Sequence, residues 1–121
     1  MKYMLLIYMT EDALSQPERE QCYVKSAQLA QQLHTNGQFL GTAPLQPVAL
    51  TKTVQVRDGK SLVTDGPFAE TREQLGGFCL IDAKDLAEAI EVAAQIPGAQ
   101  VGTLEIRPII ELPGLPQRQT A

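Results

Sequence analysis

The chain has 121 residues, of which 44% are hydrophobic and 20% charged, and its formal net charge at pH 7 is −4. This length and composition are typical of one globular domain that folds without a metal or a disulfide. The acidic balance disfavours nucleic acid as a partner, because phosphate binding needs clustered Lys and Arg, and here the basic residues are scattered.

The two cysteines, Cys22 and Cys79, are far apart and belong to no Cys/His cluster with metal-ligand spacing. We therefore predict no metal site and no cofactor, and we interpret both cysteines as small buried apolar side chains. The apolar run of residues 1–9 lacks the features of a signal peptide and is too short to cross a membrane. We predict a cytoplasmic protein without a membrane partner.

The first third of the chain predicts a strand followed by a helix. Lys2 to Met9 is a short apolar run, which is typical of a strand covered on both faces. Ser15 and Glu18 predict a capping box at the start of the helix, and Asn36-Gly37 predicts its end. The apolar stripe of this helix consists of Cys22, Ser26, Leu29, Ala30 and Leu33.

The middle of the chain predicts strands joined by turns. Residues 38–41 indicate a short second strand, and residues 43–51, with two prolines, indicate a loop. The alternating segment 53–57 is followed by Asp58-Gly59, a strong signal for a tight hairpin turn, and then by a strand over 61–64. A second turn follows at Asp65-Gly66-Pro67.

The last third predicts a strand, a helix and a strand. Residues 78–81 form the strand, preceded by Gly76-Gly77 as a loosened backbone. Asp85 and Glu88 predict a capped helix that ends at Pro97-Gly98, with an apolar stripe of Leu86, Ala89, Ile90 and Ala93. The final strand spans 101–110, and residues 112–121 are predicted to be a flexible tail after a domain of residues 1–111.

This order of elements predicts an α+β protein with the ferredoxin-like βαββαβ fold and an inserted hairpin. Both helices then cover one face of an antiparallel sheet and leave the other face open. In the first strand Tyr3, Leu5 and Ile7 share one face, and Met4, Leu6 and Tyr8 share the other, so the open face is partly apolar. An exposed apolar sheet face usually marks a surface that a second protein covers. We therefore predict a homodimer in which two sheets form an α/β barrel.

The densest group of charged residues is the segment 65–73, DGPFAETRE. Asp65 is a candidate acid or base if Phe68 shields it from water, and Arg72 is a candidate for holding an anionic ligand. The alternative, which the spacing favours, is that Asp65 accepts hydrogen bonds from backbone amides of its own turn. The candidate ligand-contacting residues of this segment are Phe68, Glu70, Arg72 and Glu73.

The final strand carries a second charged pair. Alternation places Glu105 and Arg107 on one face with Thr103, while Leu104 and Ile106 point toward the helices. Glu105 and Arg107 are therefore candidates either for ligand contact on the open face or for an ion pair between subunits. His34, the one histidine, lies at the end of the first helix, where a structural or solvated role is the usual one.

The segment 65–73 resembles the signature of the DGPF group within the YCII-related family. The resemblance extends to the opening K-Y-M-L-L-I-Y, to L-G-G-F-C-L-I-D, to D-L-A-E-A-I-E-V-A and to E-I-R-P. It implies a ferredoxin-like fold that dimerises into a barrel, with Asp65 near a cavity on the sheet face. It also implies a link to alternative sigma factors, and so a possible sigma-factor-linked protein partner.

Two functions are consistent with these observations. The first is a dimeric small-molecule-binding or accessory module, which we favour because the sequence shows no nucleophile or base of high specificity. The alternative is a small cofactor-free enzyme that uses Asp65 as acid or base on an anionic substrate. Members of the family often pair a His with the motif Asp, but His34 matches no such position, and the resemblance therefore predicts no His–Asp dyad here.

Overall fold

A computed structural model of the protein describes residues 1–116. Its helices and strands follow the predicted order: β1 (Lys2–Met9), α1 (Gln16–Thr35), β2 (Phe39–Pro44), β3 (Lys52–Arg57), β4 (Lys60–Asp65), β5 (Gln74–Asp82), α2 (Leu86–Gln95) and β6 (Thr103–Pro108). Short 3₁₀ helices at Val48–Leu50 and Pro97–Gln100 precede β3 and β6. Of the predicted tail, residues 112–116 contain neither helix nor strand, and residues 117–121 lie outside the described part.

Four strands form the main sheet, in the order β2-β5-β1-β6, and every neighbouring pair is antiparallel. Strands β3 and β4 pair only with each other as a separate two-stranded sheet. With one helix between β1 and β2 and the other between β5 and β6, this topology is consistent with the ferredoxin-like fold with an inserted hairpin. The α+β fold class predicted from the sequence is confirmed.

The hydrophobic core lies between the sheet and the two helices. From the central strands it takes Tyr3, Leu5 and Ile81, and from the helices Leu33 and Val92. Ile7, Phe39, Leu104 and Ile106 pack against the edge of this cluster. The helices therefore cover the face of β1 that carries Tyr3, Leu5 and Ile7, and no helix of residues 1–116 covers the opposite face of the sheet.

The predicted cap of α1 is present as a complete capping box. The Ser15 Oγ accepts a hydrogen bond from the Glu18 backbone N–H at 3.3 Å, and the Glu18 carboxylate accepts one from the Ser15 backbone N–H at 2.9 Å. The bond from the Ser15 backbone lowers the pKa of the Glu18 carboxyl, because it stabilises the charged form. At the other end Gly37 has φ +74°, which suits glycine and ends the helix as predicted.

The predicted apolar stripe of α2 is wrong in its outer positions. Leu86 and Ile90 are about half exposed, whereas Val92, which the stripe omitted, is buried together with Ala89 and Ala93. Residues 89, 92, 93 and 96 lie on one face at helical spacing, and Ile96 is buried directly after the helix. The buried face is therefore centred on Val92, and the predicted face is rotated about the helix axis away from it.

Strands β2, β5 and β6 differ from their predicted bounds by two or more residues. Strand β2 continues through Pro44 instead of ending in a loop, which is tolerated because β2 is an edge strand. Strand β5 begins at Gln74 and contains both glycines, with a register shift opposite Ile7 and Tyr8 that leaves Gly76 without a partner on β1. Strand β6 is shorter than 101–110, because the 3₁₀ helix and the turn after it reach Gly102.

The hairpin of β3 and β4 turns at Asp58 and Gly59, as predicted. Both residues have positive φ, +51° and +74°, which is the conformation of the tight hairpin turn that Asp-Gly favours. Val54, Val56 and Val63 on this hairpin are exposed in the single chain. The hairpin therefore presents apolar side chains to solvent.

Candidate functional site

The signature segment connects the end of β4 to the start of β5, and its turn is held by backbone geometry. Gly66 has φ +92°, a conformation that a side chain would strain. Its N–H donates to the Thr51 carbonyl at 2.8 Å, and its carbonyl accepts from the Thr53 Oγ at 2.7 Å. The glycine and the two threonines thus fix the position of Asp65 at the end of β4.

The Asp65 carboxylate forms an ion pair with the Lys52 ammonium across the hairpin. The Asp65 side chain is 86% exposed and Phe68 is 83% exposed, so Phe68 does not shield the carboxylate from water in the single chain. Within residues 1–116 no backbone N–H donates to this carboxylate, so the turn-capping interpretation is not supported either. The pairing with Lys52 was not predicted, because it depends on strand register.

The remaining charged residues of the segment, Glu70, Arg72 and Glu73, are exposed. Among residues 1–116 none of them forms an ion pair. Local contacts are made by Thr71, whose Oγ donates to the Glu73 carbonyl, and by Gln74, whose amide donates to the Thr71 carbonyl. Among residues 1–116 these three charged groups are therefore free for solvent, ligand or a second chain.

Glu105 and Arg107 lie next to each other on the open face of β6. The Glu105 Oε1 is 3.5 Å from the Arg107 Nη1, a long and solvent-exposed ion pair. Glu105 is opposite Leu6 of β1, and Arg107 is opposite Met4. The predicted alternation of β6 is confirmed, because Leu104 and Ile106 pack against the core.

The open face of the sheet is apolar at its centre. Strand register places five half-buried side chains of β1 and β5 together on this face: Met4, Leu6, Tyr8, Phe78 and Leu80. The β6 pair Glu105–Arg107 borders this centre on one side. We call these seven residues the open-face patch. The signature segment and the charged pair of β6 are not joined by any hydrogen bond or ion pair within the described chain.

A cavity of about 620 Å³ lies elsewhere, between the N-terminal half of α1 and the end of the sheet. The polar side chains that line it include Glu11, Arg19, Cys22, Tyr23 and Gln74. None of the site residues predicted from the sequence lines this cavity. Arg19 lies one helical turn before Cys22 and therefore on the same face of α1. This spacing is the sequence signal that could have identified Arg19 as a cavity residue.

The two cysteines differ in their surroundings. Cys79 on β5 is buried, and burial raises the pKa of its thiol because the thiolate would lose its solvation. Cys22 is half-buried on α1 and lines the cavity, so the prediction that both are buried holds for Cys79 alone. His34 is exposed in the last turn of α1.

Neither a metal cluster nor a membrane span is present in the described residues. Residues 1–116 contain no group of three or more His, Cys, Asp and Glu side chains that could hold a metal ion. No helix within the same residues is long and apolar enough to cross a membrane.

We expect Asp65→Asn to lower the free energy of unfolding by less than about 1 kcal/mol, because the lost ion pair is exposed and screened by water. The matched change in the same turn, Gly66→Ala, is expected to cost about 1–3 kcal/mol, because it forces a positive φ on a side chain. Urea denaturation of both variants followed by circular dichroism measures the difference. A larger loss for Asp65→Asn than for Gly66→Ala would contradict this assignment.

Comparison with known proteins gives a consistent result. The family model of the YCII-related domain matches residues 1–113. An uncharacterised protein of Rhizobium meliloti (strain 1021) is 35% identical over 114 residues, which cover 90% of this chain and 92% of that protein. The family match spans all the strands and helices given above and the signature segment.

Proposed function

Because the chain belongs to the YCII-related domain family, we propose that it is a homodimeric module that binds a small molecule. The observation that carries the proposal is the open-face patch, a sheet surface with an apolar centre that no helix of residues 1–116 covers. A second copy of the chain is the occupant we assign to this face. The DGPF group, a sigma-factor-linked partner and the cytoplasmic location stay predictions from the sequence.

Charge supports a second copy as the occupant. The Glu105–Arg107 pair puts both signs of charge side by side at the edge of an apolar centre. In a two-fold dimer the same patch meets itself, so the Arg107 of one copy can meet Glu105 of its partner. Such pairing gives each charge a partner of opposite sign when the interface excludes water. An unpaired charge buried there would destabilise the dimer by several kcal/mol.

The proposed dimer also places ligand-contacting groups together. Among residues 1–116 Glu105 and Arg107 form an ion pair only with each other, and of the signature segment only Asp65 forms one. Two facing sheets would bring the Glu105–Arg107 pairs of both copies to one enclosed space, where an anionic ligand could contact the guanidinium groups. Catalysis at Asp65 is the weaker alternative, because the carboxylate is exposed and paired with Lys52.

The test is the effect of Leu6→Arg on the mass in solution. We expect the unmodified protein to have twice the chain mass of 13.2 kDa at micromolar concentration. The variant places a charge at the centre of the patch and is expected to weaken the dimer about 100-fold or more, because an unpaired charge would be buried. Size-exclusion chromatography with light scattering over a dilution series measures this change.

The matched control is Val24→Arg, which adds the same charge to an exposed apolar position on α1. We expect this variant to keep the dimer mass. Far-UV circular dichroism reports whether both variants keep their fold. A chain mass for the unmodified protein, or equal loss of the dimer in both variants, would contradict the proposed dimer.

A further inference from the structure

We infer that the cavity beside Arg19 binds an organic carboxylate with an apolar body. This inference goes beyond the proposed function, because it names a second binding site and the ligand class for that site. The cavity is separate from the open-face patch and from the signature residues 65–73. Its volume of about 620 Å³ is within the usual range for small-molecule sites.

Arg19 is the group that would bind the carboxylate. One of its N–H groups, on Nη2, donates to the backbone carbonyl of Glu11 at 2.8 Å. Among residues 1–116 no carboxylate forms an ion pair with Arg19, although its side chain is half-buried and lines the cavity. A guanidinium has five N–H donors, so several remain for a carboxylate, which matches their planar geometry.

The carboxylate of Glu11 does not compete for Arg19. Its Oε2 accepts a hydrogen bond from the Val48 backbone N–H at 2.9 Å. Glu11 thus connects the segment after β1 to the 3₁₀ helix before β3, while its carbonyl holds Arg19. These two contacts fix the cavity walls from three separate segments, and the site is therefore formed before any ligand arrives.

The remaining lining of the cavity favours a ligand whose part beyond the carboxylate is apolar. The apolar side chains around the cavity come from the ends of β1 and β2, the start of β5 and the adjoining loops: Met9, Leu14, Pro44, Leu45, Pro47 and Leu75. One guanidinium and one carboxylate line the cavity, so its charge suits a monoanion better than a phosphate dianion. Together these groups fit an aromatic or aliphatic carboxylic acid.

Cys22 provides a native reporter, because it is a free, half-buried cysteine that lines the same cavity. Cys79 is buried and serves as the unreactive internal control. The experiment measures the rate at which a thiol reagent labels Cys22 in the full-length protein, in titrations with benzoate, benzamide and inorganic phosphate. We expect benzoate to slow the labelling in a saturable way, and benzamide, its uncharged analogue, and phosphate to do so only at about tenfold higher concentration.

The variant Arg19→Gln is expected to weaken protection by benzoate about tenfold or more, and Arg57→Gln on the hairpin is the matched control with no expected effect. Even if Arg19→Gln does not fold, the comparison of benzoate with benzamide in the unmodified protein tests whether binding requires the carboxylate charge. Equal protection by benzamide overturns the role of Arg19, equal protection by phosphate overturns the carboxylate class, and no protection overturns the site. The mass of the same samples tests the dimer separately.

Discussion

Leu5→Ala should lower the free energy of unfolding by about 2–5 kcal/mol. Leu5 has no exposed surface and lies at the centre of the core between the sheet and both helices. Removal of its three outer carbon atoms leaves a cavity that the surrounding side chains fill only in part. Since domains of this size are stable by about 5–15 kcal/mol, the change removes a large share of the total.

Urea denaturation followed by circular dichroism measures this loss, and the dependence on urea is expected to stay unchanged. The matched control is Leu6→Ala, at the next position but on the open face, where the side chain is half-buried in the single chain. Its cost is expected to be smaller in dilute samples and to grow with protein concentration, because the proposed dimer adds stability. Equal costs at every concentration would contradict the assignment of the two faces.

The elements that the sequence predicted well are those that depend on local interactions. The capping box of Ser15 and Glu18 and the turn at Asp58 and Gly59 each involve residues that are close in sequence. Hydrogen bonds and backbone conformations at this range are fixed by residue type. The order of elements, and hence the α+β class, followed from these signals and from hydrophobic periodicity.

The candidate site was harder to predict because its contacts join distant segments. Shielding of Asp65 by Phe68 was expected from their proximity in sequence, but both side chains are exposed in the connection between β4 and β5. The partner of Asp65, Lys52, is set by the register of the hairpin. Closeness of two residues in sequence thus does not predict burial in an irregular segment, because burial there depends on contacts with segments that are distant in sequence.

The cavity beside Arg19 was even harder to predict from the sequence, because its lining comes from more segments. It is built by α1, by the ends of β1 and β2 and by the start of β5, none of which is adjacent in sequence to all the others. The face of Val92 in α2 was missed for a related reason, since the rotation of a short helix is decided by its contacts with the sheet. Periodicity alone identifies a helix but not the face that the fold buries.

Gly102→Ala should be among the most damaging single-methyl changes in the fold. A Cβ at this position would lie 2.0 Å from the Tyr8 carbonyl oxygen and 2.9 Å from the Met9 Cβ. The Gly102 N–H also donates to the Gly98 carbonyl at 2.8 Å, which holds the turn before β6 against the end of β1. Relief of the clash must therefore move backbone, and we expect a loss of about 3 kcal/mol or more.

The matched control is Gly76→Ala, where the nearest atoms to the added Cβ are 3.8 Å away and belong to Ile7 and Met9. Neither glycine has a positive φ, so the two variants differ in available space and not in backbone strain. Differential scanning calorimetry should show a melting temperature lowered by about 10 °C for Gly102→Ala and by only a few degrees for Gly76→Ala. Similar melting temperatures would mean that β1 and the turn before β6 are not packed this closely, and the placement of Thr103 opposite Tyr8 would then need revision.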